Sequence, residues 1–298
     1  MNFIKYFLFI SLLLIIGVAG CGSPRYNSSL KPPRWFFVRE KEQTIEINGY
    51  QTKYSISGKG TPVIFIPGLS GIKPKLSAYP KLAKKYKCLS YNLRGLNGDN
   101  NKLAYYDIKQ LSDDLNALFA KLKLDKAVLI GNSYGGCVAL QFALDHPEKV
   151  EALILKGTFA KFDFDFKNNV LAFFVKYAPD FLYRFAMRKH VEDVVAKGEP
   201  QWAYDYILEC DLSAPRKTAI QRIESLRKFD IRDKLSKIKT PTLIIVGSQD
   251  ELTGIKYQLY LGSHIPNSYI KVIKSVGHLV DILKPAEYEQ VILNFLKY

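Results

Sequence analysis

Eight short strand-like segments punctuate the chain, six of them apolar runs, and they set the expected architecture before any single residue does. Thr44–Ile47 and Tyr50–Ser57 flank Asn48-Gly49, a dipeptide suited to the positive-φ turn of a tight antiparallel hairpin. Val63–Pro67, Cys88–Asn92, Val128–Asn132, Ala152–Lys156, Leu243–Gly247 and Tyr269–Ile273 follow. These six are apolar almost throughout rather than at alternate positions, the pattern of parallel strands covered on both faces. Between them, Ile108–Leu122 carries leucines and a phenylalanine at helical spacing with charges opposite, and Gly135–Leu144 and Pro285–Leu296 also predict helices. The expected fold class is therefore α/β: an opening antiparallel hairpin, then a mostly parallel central sheet with helices on both faces.

Residues 159–236 break the alternation. They contain no strand-like run but hold helical stretches, such as Val170–Tyr177 and Trp202–Leu208, and many Phe and Tyr residues. They are expected to form a helical cap inserted into a core made of residues 44–158 and 237–298. Some of the aromatics should line a concave site, and most should bury against one another.

At 298 residues and 48% hydrophobic, the chain fits one globular domain with a large insertion. Its formal net charge of +15 favours a soluble, positively charged surface, with attraction to anionic headgroups as a second reading. No dense Lys/Arg run or nucleic-acid motif accompanies that charge, so no nucleic-acid partner is expected. Cys88, Cys137 and Cys210 form no C-x-x-C pair or metal-ligand spacing; the first two lie in apolar segments and are expected to be small buried hydrophobes.

The first twenty residues carry an address. Lys5 precedes the apolar stretch Phe7–Ile16, which is too short to span a bilayer comfortably. Val18-Ala19-Gly20-Cys21 then resembles a bacterial lipobox. That resemblance implies that residues 1–20 are a signal peptide, that Cys21 is lipidated, and that the protein is anchored on the extracytoplasmic side of a bacterial envelope membrane. Residues 21–43, with Ser, Asn and Pro32-Pro33, are expected to form a tether. Within it, Trp35, Phe36 and Phe37 either dock on the body, the expected outcome, or dip into the lipid interface.

The segment Gly131-Asn132-Ser133-Tyr134-Gly135 fits G-x-S-x-G, after an apolar strand and before a helix, where a strained turn would lift a serine out of the sheet. A serine hydroxyl needs a base, and the base an orienting acid. Of the four histidines, His146 reads as a helix cap, His190 lies in the insertion and His264 in a loop before a strand. His278 directly follows a strand, at the carboxyl edge where such sites form. Asp250 lies just past the end of Leu243–Gly247 and is preferred to its neighbour Glu251, whose side chain is longer. The order Ser133, Asp250, His278 is one of the known triad orders.

Together with Ile66-Pro67-Gly68-Leu69, Asn92-Leu93-Arg94-Gly95, the helix LSDDLNALFAKLKL, Asp145-His146-Pro147-Glu148-Lys149-Val150 and Val246-Gly247-Ser248-Gln249-Asp250, these residues make the chain similar to the α/β-hydrolase superfamily in its capped, esterase-like branch. The resemblance covers roughly residues 44–158 and 237–298. It implies an oxyanion hole built from the backbone N–H groups of Leu69 and Tyr134. Three departures stand out: Pro67 where the family usually has histidine, Asn132 where histidine often precedes the serine, and Asn92 for a common aspartate.

The expected activity is hydrolysis of a small-molecule carboxylic ester or thioester with a hydrophobic acyl or aryl part, through an acyl-enzyme on Ser133, without metal or organic cofactor, by a monomer. Two other classes stay open: a cofactor-free haloperoxidase-like or C–C bond hydrolase on the same triad, and a non-enzymatic binding or receptor protein that retains the fold.

Overall fold

The computed structural model describes residues 26–96 and 105–297. The signal-peptide and Cys21 expectations fall outside the described residues. Among the described residues no helix is long and apolar enough to cross a membrane.

Eight strands form one sheet in the order β1-β2-β4-β3-β5-β6-β7-β8. They are β1 (Gln43–Ile47), β2 (Tyr50–Ser57), β3 (Pro62–Ile66), β4 (Lys87–Tyr91), β5 (Ala127–Asn132), β6 (Val150–Lys156), β7 (Thr242–Gly247) and β8 (Ser268–Ile273). β1 pairs antiparallel with β2, and β2 with β4; all remaining pairs are parallel. The Asn48-Gly49 turn has φ of 46° and 79°, as the dipeptide requires.

The continuous apolar runs exist because successive side chains serve two cores. Ile64, Ile66 and Leu129 point to one face, where they meet helix α1 (Ile108–Lys121) and helix α2 (Tyr134–Asp145). Val63, Phe65, Val128 and Ile130 point to the other, packed with the later C-terminal helix Pro285–Phe295. β8 departs from the expected double coverage. It is an edge strand, and Tyr269, Ile270 and Val272 are exposed on it.

Between β6 and β7 the chain forms four α-helices: α3 (Phe166–Tyr177), α4 (Asp180–Val194), α5 (Gln201–Ser213) and α6 (Arg216–Lys228). The Asp165 side chain caps α3 by accepting from Asn168 N at 2.7 Å, and prolines precede α4, α5 and α6. Only parts of α3 and α5 are visible in the apolar pattern, because α4 and α6 are rich in charges. A further helix, α7 (Ile255–His264), contains His264 as its last residue, so His264 is not in a loop as expected. Gly262 weakens its helical signature; a Cβ there would fall 2.5 Å from Ile270 Cδ1. Helix α8 (Pro285–Phe295) closes the chain.

The expected tether is docked over its described part. Tyr26 stacks on Tyr204 at 4.7 Å, and Phe36 meets Trp202 and Tyr206 edge-on at 5.4 and 5.1 Å. Ser77 Oγ donates to the Trp35 carbonyl at 3.1 Å, while Phe37 remains exposed. The segment thus clamps α5 to the sheet domain.

Candidate active site

Ser133 stands between β5 and α2 with φ 51° and ψ −115°, a left-handed conformation that a side-chain-bearing residue adopts only under constraint. The constraint is visible. Ser133 N donates to the Lys156 carbonyl of β6, and Thr158 Oγ1 and Gly136 N both donate to the Ser133 carbonyl, each at 2.8 Å. Gly135 has no room for a Cβ, which would overlap the Ile66 and Pro67 carbonyls. The loop Pro67-Gly68-Leu69 therefore lies directly against the elbow, with the Gly68 position facing the Ser133 Cβ. Leu69, in that loop, and Tyr134, next to the serine, line the same cavity as Ser133.

Asp250 and His278 come together as a buried pair, His278 Nδ1 lying 2.8 Å from Asp250 Oδ2. Asp250 also accepts from Thr253 Oγ1 on Oδ2 and from the Thr253 and Leu252 amides on Oδ1, at 2.8, 2.8 and 3.1 Å. Burial pushes the Asp250 carboxyl up, but the His278 imidazole and the Thr253 donors outweigh it and hold the acid below the usual carboxylate range. The carboxylate is thus ionised at neutral pH and is placed to accept a hydrogen bond from Nδ1–H. Nε2 is left to exchange a proton. Glu251, the neighbouring acid, is exposed.

Gly157, at φ 54°, passes against this pair; a Cβ there would fall 2.7 Å from His278 Cε1. Ser133 and His278 line one cavity of about 200 Å³, along with Leu69 and Tyr134. A model of the alpha/beta hydrolase fold matches residues 61–285. The chain belongs to the α/β-hydrolase family. A Rhizobium rhizogenes protein named as the carbamate hydrolase RutD is 27% identical over 251 residues, covering 79% of this chain and 92% of that protein. Among solved structures, an esterase from Exiguobacterium antarcticum superposes with a TM-score of 0.76 at 22% identity, covering 87% of this chain and all of that one (100%). Est816, described as an N-acyl homoserine lactone degrading enzyme, superposes with a TM-score of 0.73 at 25% identity, covering 85% and 100%.

In this hydrolase most of the insertion's aromatics divide four ways, Trp202 and Tyr204 being those that meet the docked segment at Phe36 and Tyr26. Phe159, Phe162, Phe164 and Tyr206 line the cavity. Phe174 and Tyr183 form the helical segment's own core. Phe166, Phe173, Tyr177 and Phe181 are exposed. Leu171, Val175, Met187, Ile223 and Leu279 complete an apolar wall around the serine.

Several buried polar residues around the site are not evident in the sequence. Lys156, only 1% exposed at the end of β6, donates at 2.9 Å both to the His278 carbonyl and to Asp281 Oδ1, and Asn132 Nδ2 donates to Asp281 Oδ2 at 3.2 Å. This network anchors the backbone of His278 to the elbow. Glu199 accepts from the Gly277 amide at 2.7 Å and the Ala196 amide at 2.9 Å, tying the histidine loop to the cap; burial raises its acid despite those two donors.

His190 also lines the cavity, where burial pushes its imidazole down to about 4, so it is neutral at physiological pH. His146 ends α2 and packs on Phe142. Cys88 and Cys137 are buried free thiols, each pushed up to about 12 by burial, and neither is a reactive thiolate. Cys210 is half-buried in the cavity wall.

Proposed function

We propose that this α/β-hydrolase cleaves a carboxylic ester with an apolar acyl or aryl part, using Ser133, His278 and Asp250 as a triad. The observation that carries the reading is the His278–Asp250 pair at 2.8 Å sharing an apolar cavity with a strained, elbow-mounted Ser133. Ser133 Oγ attacks the carbonyl carbon as its proton passes to His278 Nε2. The Leu69 and Tyr134 amides receive the oxyanion, a contribution of about 3–4 kcal/mol for one such donor. The carbon–oxygen bond breaks as the imidazolium returns its proton to the leaving alcohol. Water, deprotonated by His278, then releases the acid and restores the serine.

The test is a series of p-nitrophenyl esters from acetate upward. Each methylene that the wall buries contributes about 0.8 kcal/mol, roughly fourfold in kcat/KM. The efficiency should climb and then level off when the cavity, about 200 Å³, is full. A flat or falling profile contradicts an apolar acyl site.

A second reading, carbamate hydrolysis, is favoured by the name of the R. rhizogenes relative. It uses the same attack on a carbonyl, and the matched p-nitrophenyl carbamates assayed beside the esters separate the two.

We further propose that the protein acts from a membrane surface, held by a lipid on Cys21 after cleavage behind Gly20. Cys21→Ser should shift it from the membrane to the soluble fraction or block processing. An unmodified Cys21 in the mature, membrane-bound protein, read by mass spectrometry, contradicts the anchor.

A further inference from the structure

One carboxyl group of the apolar cavity has a buried oxygen with no hydrogen-bond partner among the described residues. Asp211, on α5, is 7% exposed and lines the cavity. Its Oδ2 is buried without a hydrogen-bond partner among the described residues. Such groups are rare in folded proteins, because an unmet buried acceptor costs free energy that folding alone gives no reason to spend. Arg222, on α6, lines the same cavity but does not meet this need. Its Nη1 donates to the Leu69 carbonyl at 2.7 Å and its Nη2 to the Arg94 carbonyl at 2.9 Å, and its Nε is itself buried without a partner among the described residues.

Three titratable groups face Asp211. Arg222 faces it from α6, Tyr183 from α4 and Cys210 from its own helix. Burial lifts the Asp211 acid to about 7 against the pull of the Arg222 charge. A hydrocarbon substrate that filled this cavity would seal the carboxyl group away from water and leave it unmet. A substrate bearing a hydrogen-bond donor would meet it, and in so dry a setting a hydrogen bond to a charged acceptor discriminates strongly.

We propose that Asp211 is a polar subsite of the cavity that accepts a hydrogen bond from the substrate, so that the preferred ligand is apolar but carries a hydroxyl, amide N–H or ammonium donor. The inference deepens the ester-hydrolase reading and rests on it for the location of the reacting carbonyl. The subsite itself is read by binding.

The experiment titrates the full chain by calorimetry with three ketones that cannot be hydrolysed: hexanophenone, its 6-hydroxy derivative and its 6-ammonio derivative. The donor-bearing ketones should bind about tenfold or more tightly than hexanophenone. Asp211→Leu should abolish that advantage. Asp211→Asn, nearly isosteric, should keep the hydroxyl's advantage and lose the ammonium's. In the wild type, affinity for the ammonio ketone should rise as pH increases through about 7, where the Asp211 carboxyl ionises, and Asp211→Asn should flatten that rise. Equal affinity for all three ketones, failure of the donor-bearing ones to bind, or an undiminished preference in Asp211→Leu overturns the subsite. Turnover of p-nitrophenyl hexanoate on the same preparation keeps the two proposals apart. Turnover without donor preference sinks the subsite alone, and donor preference without turnover sinks the ester reading alone.

Discussion

Ser133→Ala is expected to lower kcat on an ester substrate by about 10⁵- to 10⁶-fold and leave the fold unchanged. The size follows from the way nucleophile and base act as one unit, since removing either leaves only the oxyanion donors and substrate binding to accelerate the reaction. The fold should survive because the elbow is held by the serine's backbone, through Lys156, Gly136 and Thr158, and not by its hydroxyl. Alanine must adopt the same φ of 51°, and that strain is already met in the wild type. The unfolding midpoint should therefore stay in place while labelling by a serine-reactive phosphonate disappears. Labelling that persists on another serine would remove Ser133 from the nucleophile's role.

Asp250→Asn is expected to cost about 10⁴-fold in kcat. The carboxylate is an acceptor on both oxygens: four donors converge on it, from Leu252 N, Thr253 N, Thr253 Oγ1 and His278 Nδ1. An amide offers one oxygen and one N–H₂ group, so one side of the cluster must turn donor against donor or the imidazole must change tautomer. If Nδ1 gives up its proton to accept from the amide, Nε2 becomes protonated and can no longer take the proton of Ser133.

The same substitution has a signature in stability. Because the folded Asp250 acid lies below its unfolded value, its contribution is present above about pH 4 and is lost as the pH falls toward the folded value. The variant should be less stable than the wild type at neutral pH, and the gap should close in acid, as read from denaturant midpoints across pH. A gap independent of pH would show that the carboxylate is not held ionised by its neighbours.

The parts of this site that could be read from the chain are those whose chemistry is tied to local sequence. A strand covered on both faces must be apolar at consecutive positions, so Val63–Ile66 and Val128–Gly131 announce themselves. Ser133 follows one such run, Asp250 and His278 follow two others, and the carboxyl edge of the sheet brings the three near one another. The edge strand β8 was legible as a strand but not as an exposed one, because an edge position is a property of the neighbours and not of the run. Thr253, Lys156, Glu199 and Asp211 were not legible at all. Each is an ordinary polar residue locally; Lys156 and Glu199 take their roles from partners distant in the chain, Asp281 and Gly277, 125 and 78 positions away, and Thr253 and Asp211 take theirs from where the fold places them. The helices α4 and α6 were hidden for a related reason, since α6 buries Arg222 and Ser225 where a sequence pattern looks for leucine.

Helix α6 also sets a limit on how this enzyme could be re-engineered by exchange of parts. Arg222 grips the Leu69 carbonyl, Ser225 meets the Tyr134 hydroxyl at 2.8 Å, and Thr218 donates to the Gly95 carbonyl at 2.8 Å. The last of the four roof helices is thus a brace for both proposed oxyanion residues, although it belongs by sequence to the insertion. A chimaera that imported a foreign roof cut at the ends of β6 and β7 would lose this brace and with it the alignment of the donors. A junction at Ala214-Pro215, between α5 and α6, keeps α6 with the sheet it supports, but an exchange of α3 to α5 must then carry over Glu199, whose side chain holds the Gly277 amide beside His278.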